Sequence, residues 1–160
     1  MKPYAALAGR VRQAMIDLKR VVDRAEELLE KANRTGDDGY LDGAALNLHG
    51  FCAGAERIFE DIARNIDDNV PSGPEWHRDL LLQMSATIDD VRPAIINSDT
   101  RYCLDEYRGF RHVVRNVYTF NLRPSRLNEL IQDLRNCYES LVKEIEVFLE
   151  FLDDILQTND

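Results

Sequence analysis

The sequence lacks any apolar stretch long enough to cross a bilayer as a helix, and Met1-Lys2-Pro3-Tyr4 passes directly into a charge-interrupted pattern rather than an apolar leader. The expectation is a chain that neither spans a membrane nor is exported. Cysteine is scarce: Cys52, Cys103 and Cys137 are odd in number and separated by 51 and 34 residues, which fits neither a disulfide framework nor a zinc knuckle. They read as three small buried hydrophobes in a reducing cytoplasm. Basic charge is also short, with 20 Lys and Arg against 29 Asp and Glu and a net charge of −9. Such a chain does not coat nucleic acid through bulk charge, although a local basic patch remains compatible with an acidic body.

Several motifs are missing. No Gly-Lys-Ser/Thr phosphate loop, Gly-x-Gly-x-x-Gly, Gly-x-Ser-x-Gly or His-Glu-x-x-His occurs, so nucleotide-loop, hydrolase-elbow and zinc-peptidase readings lack their defining residues. A carboxylate-bridged di-iron bundle needs Glu-x-x-His, yet Leu46, Pro74 and Gly109 stand three before His49, His77 and His112. No metal site is therefore expected. The acidic pairs, Glu26-Glu27, Asp37-Asp38, Asp67-Asp68, Asp89-Asp90 and Asp153-Asp154, read as solvated faces, caps and turns. His49 reads as a packed or interface residue and His77 as an exposed residue of a first helical turn.

What is present is helical periodicity. At 160 residues, 44% hydrophobic and 31% charged, the chain suits one domain over residues 1–160 with a core and a solvated surface. Breaks at 35–39, 71–74, 92–93 and 122–124 leave five helices. The first carries a stripe of Leu7, Val11, Leu18, Val22, Ala25 and Leu29, and the last, after Pro124, repeats that pattern from Leu127 to Leu156. Between them, a second helix over about 40–68 is rich in Gly and Ala, which permit close helix approach. A capping box at Ser72-Gly73-Pro74-Glu75 predicts a third helix carrying Trp76, Leu80, Leu81 and Met84 inward, and Ser98 or Asp99 caps a fourth that runs to about Phe120. No segment alternates convincingly with period two. The expected fold is all-α, an antiparallel helical bundle.

The fourth helix is the informative one. Residues 101–126 hold six arginines against Asp105 and Glu106, a charge of +4 that leaves −13 for the rest. At about 100° per residue, Arg115, Arg108, His112 and Asn116 fall on one side of Arg111, with Tyr107 and Tyr118 within about 40° on the other. Phe110, Val113, Val114, Val117 and Cys103 fill the opposite side, which predicts a row of Arg, His, Asn and Tyr held outward. Forked guanidinium donors match phosphate oxygens, and an aromatic ring stacks on a base. An alternative is that these arginines pair with acids on neighbouring helices. Gly109 costs about 1 kcal/mol relative to alanine within a helix, so it predicts the approach of another backbone, such as a dimer seam.

Arg111-His112-Val113-Val114-Arg115-Asn116-Val117-Tyr118 resembles the motif of the HEPN superfamily, and within it HepT-like ribonuclease toxins: arginine, a polar residue, three intervening positions, histidine, one residue, then tyrosine. Arg111, His112 and Tyr118 fall in register, whereas the family's catalytic histidine position is occupied by Asn116. The five-helix plan, the motif on the fourth helix and the run Gly54-Ala55-Glu56-Arg57-Ile58-Phe59 also look like this family. The resemblance implies a homodimeric, metal-independent endoribonuclease with no cofactor, cleaving RNA by attack of the 2′-hydroxyl. It further implies neutralisation by a nucleotidyltransferase antitoxin of the MntA kind that attaches AMP to the motif tyrosine, here Tyr118. The implied site comprises Arg111, Asn116 and His112 for the chemistry, with Arg108, Arg115 and Tyr118 on the RNA. An amide cannot shuttle a proton, so either His112 one turn earlier acts as acid or base, or the protein is a catalytically silent HEPN-type binder of RNA or of a nucleotidyltransferase. A helical interaction module with neither role is a third possibility.

Overall fold

The computed structural model describes residues 4–116 and 123–158, and the side chains of 4–110 and 123–155. Within them the chain is all-α, five helices packed as a bundle: α1 (Ala5–Thr35), α2 (Gly39–Ile62), α3 (Trp76–Met84), α4 (Ser98–Asn116) and α5 (Pro124–Thr158). The two long amphipathic stripes bury as their periodicity predicts. Leu7, Val11, Leu18, Val22 and Ala25 of α1 and Leu127, Leu130, Leu134, Leu141, Ile145 and Leu152 of α5 are core residues.

Cross-helix pairs fix the register. Arg10 forks onto Asp61 (Nε–Oδ2 2.8 Å, Nη2–Oδ1 3.0 Å) at one end of the α1–α2 pair. Near the other end, a Cβ added to Gly43 would stand 3.0 Å from Leu28, so the two helices run antiparallel. At Gly54 an added Cβ would meet Leu18 Cδ2 at 2.7 Å, so the small residues of α2 do permit the close approach read from the sequence. Arg135 binds Glu26 and Asp23, with Arg12 and Asp153 at the opposite end, making α5 antiparallel to α1. Those carboxylates hold the Arg135 guanidinium above its ordinary pKa, Glu26 contributing most.

Four sequence expectations are corrected. The Ser72–Glu75 capping box does not form: Gly73 is left-handed (φ 101°), its carbonyl accepts the Trp76 N–H, and α3 starts at Trp76 without a side-chain cap. Trp76 itself is only partly buried. At α4 the cap is Asn97, not Ser98 or Asp99, because its Oδ1 accepts the Thr100 N–H (2.8 Å). Glu144 of α5 then accepts the Asn97 N–H (2.5 Å) and the Thr100 hydroxyl, fastening this end of α4. The pair Asp67-Asp68 is not a solvated turn throughout. After Ile62 the helix widens into a π-helical turn, Ala63–Asp67, and delivers the Asp67 side chain, fully shielded from solvent, to Arg92 (Nε–Oδ1 2.6 Å, Nη2–Oδ2 2.7 Å).

The fourth correction concerns cysteine. Cys103 of α4 and Cys137 of α5 form a disulfide with a Cα–Cα distance of 6.2 Å, while Cys52 is a buried thiol. A separation of 34 residues conceals the proximity because an antiparallel helix pair brings distant positions to one level. The argument from cysteine to a reducing compartment loses its basis. Among the described residues, no helix is long and apolar enough to cross a membrane.

Candidate functional site: the crease between α2, α3 and α4

The basic helix takes its orientation from its buried residues. Thr100, Leu104, Tyr107 and Phe110 are buried, whereas Tyr102, Glu106 and Gly109 are exposed. Of the expected outward row, Tyr107 and Arg108 have described side chains, and neither stands fully outward. Arg108 is half-buried rather than fully exposed. The tyrosine expected beside it, Tyr107, is a core residue: its hydroxyl donates to the Leu130 carbonyl of α5 (2.6 Å), and its ring meets Phe51 edge-on at 5.5 Å. Burial pushes its phenol well above the ordinary tyrosine pKa, with Asp133 and Glu106 adding to the effect.

Arg108 Nε donates to Asp105 Oδ1 at 2.6 Å, which raises the guanidinium pKa against the opposing effect of desolvation. Arg126 pairs with Glu129 in the same way, at 3.3 Å. Local pairing of arginine with acid is thus realised at both positions, although within a helix rather than between helices. Arg108 also lies within electrostatic reach of Glu75, which precedes α3, and of Cys52 on α2. The side chains of Arg111, His112, Arg115 and Asn116 lie outside the described residues, although their backbone continues α4. Tyr118 lies outside them entirely, as do Val117 and the predicted end near Phe120.

Where α3 meets α2 the structure assembles two residues that sequence reasoning did not bring together. Glu56 of α2 is 5% exposed, and its Oε1 lies 2.9 Å from His77 Nδ1 at the start of α3. Cys52, one turn earlier on α2, donates its thiol to the same oxygen (3.6 Å). Trp76 lies against the His77 ring with centroids 3.5 Å apart. His77, expected to be exposed, is half-buried because α3 packs against α2. The sequence did carry a signal: Glu56 interrupts the buried positions Cys52, Ala55 and Phe59, and a carboxylate on an apolar stripe needs a partner. That the partner is His77 depends on the loop between α2 and α3.

The groove between α4 and α5, lined by Asp99, Glu106 and Asp133, is acidic. Among the described residues, no group of three or more His, Cys, Asp or Glu is arranged to hold a metal ion. No curated protein and no solved structure matches the chain. One family model does, that of the HepT-like proteins, and its match runs from residue 43 in α2 to residue 152 in α5. It includes Glu56, His77 and the whole Arg111–Tyr118 segment. With well over half its length matched, and with the basic helix set among five packed helices, this chain belongs to the HepT-like protein family.

Proposed function

We propose that the chain is a HepT-like toxin, a single HEPN-like domain over residues 1–160 that cleaves RNA without a metal or other cofactor. The observation that carries this reading is the family match across the arginine-rich helix. Arg111 stabilises the charge that develops on phosphorus as a 2′-hydroxyl attacks, while Arg108 and Arg115 hold flanking phosphates. Asn116 and His112 orient the reacting group, and Tyr118 stacks on the RNA and is the residue that a nucleotidyltransferase antitoxin modifies with AMP. The cytoplasm, where both RNA and such a partner are found, is the proposed location.

Incubating the purified chain with labelled RNA in chelator tests the reading. The expected products end in 2′,3′-cyclic phosphate, and Arg111→Ala is expected to abolish them. If no cleavage occurs with this chain or with Asn116→His, the reading fails. Retained, salt-sensitive RNA binding would then favour the second reading, a silent HEPN-type binder, for which Asn116 is the specific observation.

The proposed assembly is a homodimer, and Gly109 tests whether the exposed face of α4 forms its seam. Gly109 is exposed on α4, and a Cβ there would meet nothing within 4 Å of this chain. Alanine would therefore remove a helix penalty of about 1 kcal/mol at no steric cost within one copy. At a dimer seam, Gly109→Ala is expected to shift the protein towards monomer in light scattering. A melting point that rises with the dimer intact would remove Gly109 from the seam.

A further inference from the structure

The Cys103–Cys137 bond joins α4 to α5 within a ladder of three ties. Glu144 holds Asn97 and Thr100 at the start of α4, the disulfide follows, and the Tyr107 hydroxyl then meets the Leu130 carbonyl. The next turn of α4 brings Arg111. The bond is not sealed in the core. Cys103 is half-buried while Cys137 is buried, and both line the groove between α4 and α5, so solvent reaches the bond from the Cys103 side. Asp99, Glu106 and Asp133, all exposed, border that approach, and among the described residues no lysine or arginine lines it. Arg101, adjacent in sequence to the groove residue Tyr102, donates to Ser85 Oγ (3.2 Å) and lies over the Tyr102 ring. The reduced state is accommodated as well. Cys103 Sγ lies 3.2 Å from the Thr100 carbonyl oxygen, an acceptor for its S–H, and a Cys137 thiol is a small buried hydrophobe.

We propose that this bond is a reversible thiol–disulfide exchange site, open to small thiols with a cationic or neutral body and guarded against anionic ones, and that its state sets how firmly α4 is held to α5. Solvent-reachable disulfides are the ones that exchange. The thiolate of a small thiol attacks Cys103 Sγ, a mixed disulfide forms there, and Cys137 leaves as a thiolate that takes a proton. A second thiol attacks the outer sulfur of the mixed disulfide, releasing the small symmetrical disulfide and the Cys103 thiol. Two thiols thus supply two electrons and two protons, and the small disulfide re-forms the bond by the same steps in reverse. The three carboxylates act on the attacker: a thiolate that carries a second negative charge is repelled, whereas one whose ammonium group cancels its own charge is not.

The test uses the full chain, oxidised with cystamine and then reduced by cysteamine or by mercaptopropionate at equal thiolate concentration. Thiols are counted by alkylation after a denaturing quench, one for the oxidised protein, from Cys52, and three for the reduced protein. Each rate is divided by that thiol's rate on a small neutral disulfide. Mercaptopropionate is expected to be about tenfold slower on this scale at low salt, the gap closing at high salt and narrowing in Asp133→Asn. Equal scaled rates overturn the guarding. A bond that resists both thiols until the protein unfolds, or three labels after oxidation, overturns the exchange site. Backbone hydrogen exchange over residues 104–116 is expected to rise about tenfold on reduction, and by more than in α1, because a covalent tie between α4 and α5 is lost. Cys103→Ser is expected to match the reduced protein and to ignore added thiols. Exchange unchanged on reduction, or raised by the same factor in α1, overturns the local hold on α4.

Discussion

Asn116→His is expected to raise RNA cleavage by about 10²-fold, the lower end of what a positioned acid–base group contributes. The argument starts from chemistry. Cleavage by 2′-hydroxyl attack requires a proton to leave O2′ and another to reach O5′, and an amide does neither near neutral pH. Restoring an imidazole at position 116 places a second titratable ring on the arginine helix, one turn beyond His112 and five residues beyond Arg111. Arg111→Ala in the Asn116→His background separates this effect from a contaminating nuclease. The activity is expected to disappear, because charge on phosphorus is then left without its forked donor. If the rate does not change in Asn116→His, position 116 lies away from the reacting atoms and the motif alignment is wrong.

How much of this was legible in the sequence depends on how local each signal was. The stripes of α1 and α5 bury as read, because a 3.6-residue period over many turns determines which face meets the core. Gly43 and Gly54 were likewise legible, since small residues on a buried face mark close approach. Arg108 is less exposed than expected, because an angular plot locates charged residues relative to one another and not relative to the neighbouring helices. Tyr107 shows why: it shares the arginine side of the plot, yet its hydroxyl finds the Leu130 carbonyl and its ring finds Phe51 in the core. Asn97 was missed as the cap by one residue, a small error of local turn geometry. The Cys103–Cys137 bond and the Glu56–His77 pair were inaccessible for one reason: each joins two helices whose relative level is set by loops and packing. The family was legible in the sequence, but the pairing of Glu56 with His77 was not.

The largest stability effect is expected where the sequence showed only a helix end and an Arg-Pro break. Arg92 uses all five of its N–H donors in the interior. Nε and Nη2 fork onto Asp67, Nη2 also reaches the Gln83 carbonyl (3.2 Å), and Nη1 donates to the carbonyls of Ala86 (3.0 Å) and Pro93 (3.1 Å). Gln83 completes the second carboxylate oxygen of Asp67 at 2.8 Å. One guanidinium thus ties the end of α2, the end of α3 and the irregular segment that leads to α4, and so sets where the arginine helix begins. Arg92→Met is expected to destabilise the protein by about 3–5 kcal/mol, because it strands the shielded Asp67 carboxylate and takes the donor from three carbonyls. For a chain of this size that lowers the melting temperature by roughly 10 °C or more. Arg92→Lys keeps the charge but offers three donors from one point, so it is expected to fall well short of rescue. Asp67→Leu with Arg92→Met removes both charges and is expected to recover a large part of the loss, since the desolvation of the pair disappears with it. If the double variant melts as low as Arg92→Met alone, the stranded carbonyls outweigh the stranded carboxylate, and the chief role of Arg92 is to cap the loop that delivers α4 to its site.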